Sequence, residues 1–181
     1  LGATKAPDVI VAENGQWDEW LPQEELQKRN GLETMNCTNY STLNCLEALI
    51  FRHYGELYNF SERYTGVLTE TTPEGNEPNI VIEVIRKTSG LIPEEELPFD
   101  DSIRSWNEYY SPKPMTEEYL SQGKKWLSKW IVKHEWVTPT SEDMKEALKR
   151  SPLGASVFAW AKNADGLYYR PSPFENHWVM I

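Results

Sequence analysis

Apolar residues recur at three- and four-residue spacing through Tyr40, Leu43, Leu46, Ile50 and Tyr54, which predicts an amphipathic helix over about 37–54. Asn36 stands where an N-cap would, and Gly55 where a helix C-terminus closes. A second helix is expected over about 78–88, with Pro78 in its first turn and Val81, Val84 and Ile85 as its stripe; Gly90 ends it. A third is expected over about 116–129, and a short one over 141–150 capped by Thr140 or Ser141. The stretch 91–114 contains Pro93, Pro98, Pro112 and Pro114 and reads mostly as loop. Strands are expected over 130–138, 153–161, 166–170 and from His177 onward. Residues 1 to about 30 are polar and irregular, and Asn30-Gly31 marks a turn. Helices in front and strands behind predict an α+β chain of two lobes, 1–114 mainly helical and 115–181 sheet-rich.

Composition narrows the partners. The net charge of −10 argues against nucleic acid, whose phosphates need stripes of Lys and Arg. No apolar run approaches the ~20 residues of a membrane span, so no membrane partner is expected. The first residues do not have the pattern of a signal peptide, and the missing initiator Met suggests a processed piece. Cys37 and Cys45 are the two cysteines; on one helix they are about 12 Å apart, too far for a disulfide. A chain without a bridge fits a reducing compartment. Glycosylation sequons begin at Asn36, Asn39 and Asn59, and the first two overlap Cys37. Cytoplasmic, phage or bacterial origin is therefore favoured over a eukaryotic secretory route. No metal site is expected, because His53, His134 and His177 lack ligand spacing with the cysteines. Glu94-Glu95-Glu96 reads as a solvated loop. Nothing marks a cofactor site.

The chemistry centres on Cys37 and His177. Cys37 would open the first helix, where unpaired N–H groups and the dipole favour a thiolate. His177 would open the last strand and could supply the imidazole. Cys45 reads as core packing, and His53 and His134 as surface or packing residues.

Taken together these residues resemble the papain-like (C1-type) cysteine peptidases. The family's Ser-Cys-Trp-Ala-Phe-Ser, followed by Leu-Glu, is similar to Asn36-Cys37-Thr38-Asn39-Tyr40-Ser41 followed by Leu46-Glu47. Phe60-Ser61-Glu62 looks like its Leu-Ser-Glu, and Gly75-Asn76 like its Gly-Gly loop. The run from Ser89 to Phe99 looks like its Gly-Leu-x-x-Glu-x-x-Tyr-Pro-Tyr segment. Glu146 to Lys149, with Pro152 and the strand after it, resembles the segment before its barrel, and Asn176-His177 its Asn/Asp-His-Ala-Val. The order holds from about Gly31 to Ile181.

The resemblance implies a two-lobe papain-like fold with a long central nucleophile helix and an antiparallel sheet lobe. It implies catalysis by Cys37 and His177 on a peptide or protein substrate. The oxyanion glutamine would be Gln27, with Gln23 as fallback, since Gly31 stands at the family's usual spacing. Gly75 and Asn76 would line one wall of the cleft by main-chain pairing with substrate; Asn36, Asn176 and Trp178 would flank the reacting groups. The chain departs from the family at Thr38, where a Trp is usual, and in lacking the paired cysteines. The Asn that orients the family's His would lie beyond Ile181, so a C-terminally incomplete piece is expected. Two other readings stand beside the peptidase: an inactive binding module on the same fold, and a phage or bacterial cell-wall Cys/His amidase-endopeptidase.

Overall fold

The computed structural model describes residues 16–159, 161–171 and 173–181; the irregular reading of 1–15, and Trp160 within the strand expected over 153–161, lie outside them. Strands β1 (Lys28–Arg29) and β2 (Leu32–Glu33) pair antiparallel, with Lys28 opposite Glu33 and Arg29 opposite Leu32. Asn30 and Gly31 join them at φ 53° and 82°. Two consecutive left-handed residues make the turn whose twist matches a hairpin, and Asn-Gly tolerates it best.

Helix α1 (Cys37–Tyr54) has the bounds that its periodicity predicts. Leu43, Leu46 and Ile50 pack with Phe60, Val81, Ile82, Ile85, Leu91 and Val132 in the main core. Tyr54, expected on the same stripe, is exposed and meets Trp130 edge-on at 4.9 Å instead. Gly55 is left-handed and returns its N–H to Phe51 O at 2.8 Å, as expected for a glycine C-terminus.

Helix α2 (Glu62–Leu68) is too short to announce itself by periodicity. Its cap is clear: Ser61 Oγ accepts from Tyr64 N at 3.0 Å and donates to Leu97 O at 2.6 Å. Helix α3 (Pro78–Val84) begins on the proline and widens into a π-turn over Ile85–Ser89. The buried residues are therefore Val81, Ile82 and Ile85, and Val84 of the predicted stripe is only half-buried. The loop 91–114 holds a short turn at Glu94–Glu96 and the one-turn helix α4 (Trp106–Tyr109), closed by a Ser105–Glu108 capping box.

Helix α5 (Glu117–Lys129) is capped by Thr116 and packs on the π-turn. Gly90 and Gly123 allow the approach: a Cβ on Gly123 would fall 2.0 Å from Ser89 O and 2.5 Å from Tyr64 Oη. Main chain therefore rests on main chain.

The strand expected over 130–138 is absent. Val132 enters the core, but Ile131 is 81% exposed and residues 133–136 are all exposed, Trp136 at 72%, so burial does not alternate along the segment. No strand among the described residues takes up its main chain, and strand-forming residue types without a partner do not make a strand. Helix α6 (Ser141–Leu148) follows, capped by Thr140. Strand β3 (Gly154–Val157) pairs antiparallel with β6 (His177–Met180), and β4 (Ala161–Lys162) with β5 (Tyr168–Tyr169). Both β3 and β6 contact α1. The architecture is α+β: helices with small antiparallel strand pairs. No helix of the described residues is long and apolar enough to cross a membrane.

Candidate functional site

Cys37 is the first residue of α1 and is half-buried. His177 is the first residue of β6, opposite Val157 of β3, and is also half-buried. The packing of β6 on α1 thus brings together the two elements that the sequence singled out. Among the described residues no hydrogen bond joins the Cys37 thiol to the His177 ring. Cys45, two turns along α1, is a second free thiol, and burial pushes it up to about 12. A thiol so desolvated stays protonated and inert at neutral pH.

The chain entering Cys37 is held on both sides. Met35 sits at φ 56°, a left-handed conformation that costs a bulky residue roughly 1–2 kcal/mol. Its N–H donates to Glu33 Oε1 at 3.2 Å, and the Gln27 amide donates to the same oxygen. Thr34 Oγ1 donates to Gln27 O at 3.0 Å, and Tyr110 Oη to Thr34 O at 2.8 Å. Gln27 therefore reaches the approach to Cys37 through Glu33, with one of its amide protons already committed there. Gln23 is exposed. Burial holds the Tyr110 phenol above its ordinary range, with smaller contributions from charge at Cys37 and Glu33.

Asn36 does not cap α1 with its side chain. It is fully buried, and its amide nitrogen donates to Glu62 O at 3.0 Å and Tyr109 Oη at 3.2 Å. Its carbonyl accepts from Asn39 Nδ2 at 2.6 Å. This corrects the expectation of a side-chain cap: Asn36 stands at the N-cap position, but its side chain is consumed inside the fold. Close packing explains the burial, since a Cβ on Gly66 would meet Asn36 Oδ1 at 2.9 Å and Tyr110 Cε1 at 3.1 Å.

The Gly75-Asn76 loop lies beside the start of α1. Thr38 Oγ1 donates to Asn76 O at 3.0 Å, and Gly75 at φ 100° packs toward Met35 O. Asn76 Nδ2 donates to Thr69 O at 2.8 Å and Thr71 Oγ1 at 3.2 Å, and Asn39 Nδ2 donates to the same Thr71 hydroxyl at 3.0 Å. Gly75 exchanges both main-chain hydrogen bonds with Thr72, at 2.9 and 3.1 Å. Main-chain pairing between Gly75 and a substrate would have to break that turn.

At the start of β6, Asn176 Oδ1 accepts from Ala159 N at 2.8 Å, which ties the exit of β3 to the residue before His177. The Trp178 indole covers Gly154, where a Cβ would lie 2.7 Å from Nε1. Both residues shape the strand pair around His177.

Glu33, Met35, Thr71 and Tyr110 carry the site's supporting hydrogen bonds and were not predicted. For Thr71 and Tyr110 the signal is tertiary, since no spacing links residues 34 and 36 to 71 and 110; Glu33 and Met35 meet within a local turn. Among the described residues no group of three His, Cys, Asp or Glu could hold a metal ion. No protein-family model and no curated protein sequence matches the chain.

Proposed function

We propose that the chain is a papain-like thiol peptidase domain of two lobes, helical 1–114 and sheet-rich 115–181. Cys37 is the nucleophile and His177 the acid and base. The observation that carries the reading is that Cys37 opens α1 while His177 opens a strand packed against that helix. The first-turn N–H groups favour negative charge at the sulfur. The thiolate attacks the peptide carbonyl carbon, the Cys37 N–H steadies the oxyanion, and Gln27 assists. His177 gives its proton to the leaving amine, then takes one from the water that cleaves the thioester.

The test is the alkylation rate of each cysteine by iodoacetamide against pH, read by mass spectrometry, in the wild type and in His177→Ala. A low-pH shoulder at Cys37 that vanishes in His177→Ala supports the peptidase. A single titration indifferent to His177 overturns it and leaves an inactive binding module. The internally paired backbone of Gly75 is the observation that favours that second reading.

A further inference from the structure

The run between α5 and α6 leaves its main chain open. Among the described residues, no main-chain hydrogen bond engages Ile131, Val132, His134, Glu135, Trp136 or Val137. Ile131, Val132, Trp136 and Val137 are β-branched or aromatic, and no Pro or Gly interrupts residues 130–138. Trp130 leads in with the dihedrals of a strand, φ −121° and ψ 138°. Three side chains, each two residues from the next, hold the run to the body. Trp130 and Val132 pack in the main core. His134 Nε2 lies 3.3 Å from Asn79 Oδ1, and its Nδ1 3.7 Å from Glu83 Oε1, both on α3. Ile131, Lys133 and Glu135 stand between them, exposed. Trp136 is next in the anchored series, yet it is 72% exposed.

Open N–H and C=O groups on an exposed, strand-forming run are a template for another strand. The residues of this run are complementary to themselves. In an antiparallel pair of two copies with His134 opposite His134, Lys133 of each faces Glu135 of the other. Ile131 faces Val137 on the same side, and Val132 faces Trp136 on the opposite side. Opposite charges and apolar pairs placed directly across a ladder stabilise it, and like charges destabilise it. The register is therefore selected by charge. Sliding the strands by two residues either way sets Lys133 against Lys133 or Glu135 against Glu135. Sliding by one residue would turn the anchored side chains away from their own body.

We propose that residues 131–137 are a docking edge for a second copy of this chain, paired antiparallel about His134 into a two-fold dimer. The contact is isologous, since the same patch serves both copies. Residues directly opposite in a ladder share a face, so both bodies lie on one side of the two-stranded ribbon. Trp136 of each copy then rests beside Val132 of the other, where the partner's body covers an indole that its own leaves open. Lys133 and Glu135 stay on the outer, solvent side, so the pairing weakens with added salt. The dimer is independent of the chemistry at Cys37.

The test is sedimentation velocity of the full chain from micromolar to millimolar concentration, with amide hydrogen exchange of residues 131–137 on the same samples. The wild type is expected to dimerise as concentration rises, and the 131–137 amides to slow with it. Lys133→Glu and Glu135→Lys each set like charges across the ladder, so each is expected to weaken association about tenfold. Both positions are exposed, which keeps the fold out of the comparison. The double variant is expected to recover the wild-type affinity. An equimolar mixture of the two single variants is expected to form a mixed dimer, because their charges complement each other. A monomer at every concentration overturns the pairing, whether or not its 131–137 amides are protected. A dimer whose 131–137 amides exchange freely, or a double variant as weak as the singles, also overturns it.

Discussion

The Thr38 hydroxyl donates to the main-chain carbonyl of Asn76 at 3.0 Å, so the residue after the candidate nucleophile fixes the loop that would wall its cleft. Position 38 is where the chain departs from the papain-like pattern. Thr38→Val keeps the shape and removes the donor. A loss of about 1 kcal/mol is expected, with faster proteolytic nicking between residues 72 and 77 as the specific readout.

Asn39 is the hub of the buried polar network, donating to Asn36 and Thr71 and accepting from Thr69 Oγ1 at 3.3 Å. Asn39→Leu would leave those partners unpaired in the interior. Each orphaned group costs roughly 1–3 kcal/mol, so urea unfolding should show a large drop in midpoint.

Two glycines should respond differently to alanine. Gly31 has open space around a Cβ but sits at φ 82°, so Gly31→Ala is expected to cost about 1–2 kcal/mol from backbone strain alone. At Gly123 the added carbon lands 2.0 Å from Ser89 O, and neither main chain can move cheaply. Gly123→Ala is expected to cost more than Gly31→Ala, or to prevent soluble expression. Chemical denaturation of the pair checks the order.

The buried glutamates should make stability fall from mildly acidic towards alkaline pH, while Glu56, Glu83, Asp100, Glu108 and Glu146, held low, act the opposite way in stronger acid. Unfolded glutamates titrate near 4.3. Folded Glu47 titrates at about 8, Glu94 at about 7, and Glu62 is also raised. The folded state then binds more protons than the unfolded one, so stability falls as pH rises. The contribution is complete below about pH 4 and is lost as pH rises through about 8. Urea midpoints at pH 5, 7 and 9 check it, and a midpoint that rises with pH would contradict it.

Local order was legible in the sequence where a signal repeats within a few residues. The bounds of α1 follow from its apolar spacing, and Asn30-Gly31 and Gly55 from backbone chirality. The segment 130–138 misled because its β-branched and aromatic residues suit a strand, and only a neighbouring strand, which is absent among the described residues, would make it one. Asn36 misled in the same way: a capping residue type beside a helix start was diverted by Gly66, Glu62 and Tyr109, none of them near it in sequence. The sequence singles out Cys37 and His177, and their elements, α1 and β6, pack on each other. The hydrogen bonds at Thr71 and Tyr110 that support the site were not legible, because each joins residues distant in sequence, whereas those accepted by Glu33 lie within one short hairpin.

The contact between Gly90 and Gly123 works as an index mark. Sliding α5 by one residue would bring Gln122 or Lys124 against Ser89 O, where no side chain fits. The helix can therefore dock in one axial position only. Everything after it, through the extended coil to the strand that carries His177, inherits its starting point from two missing side chains.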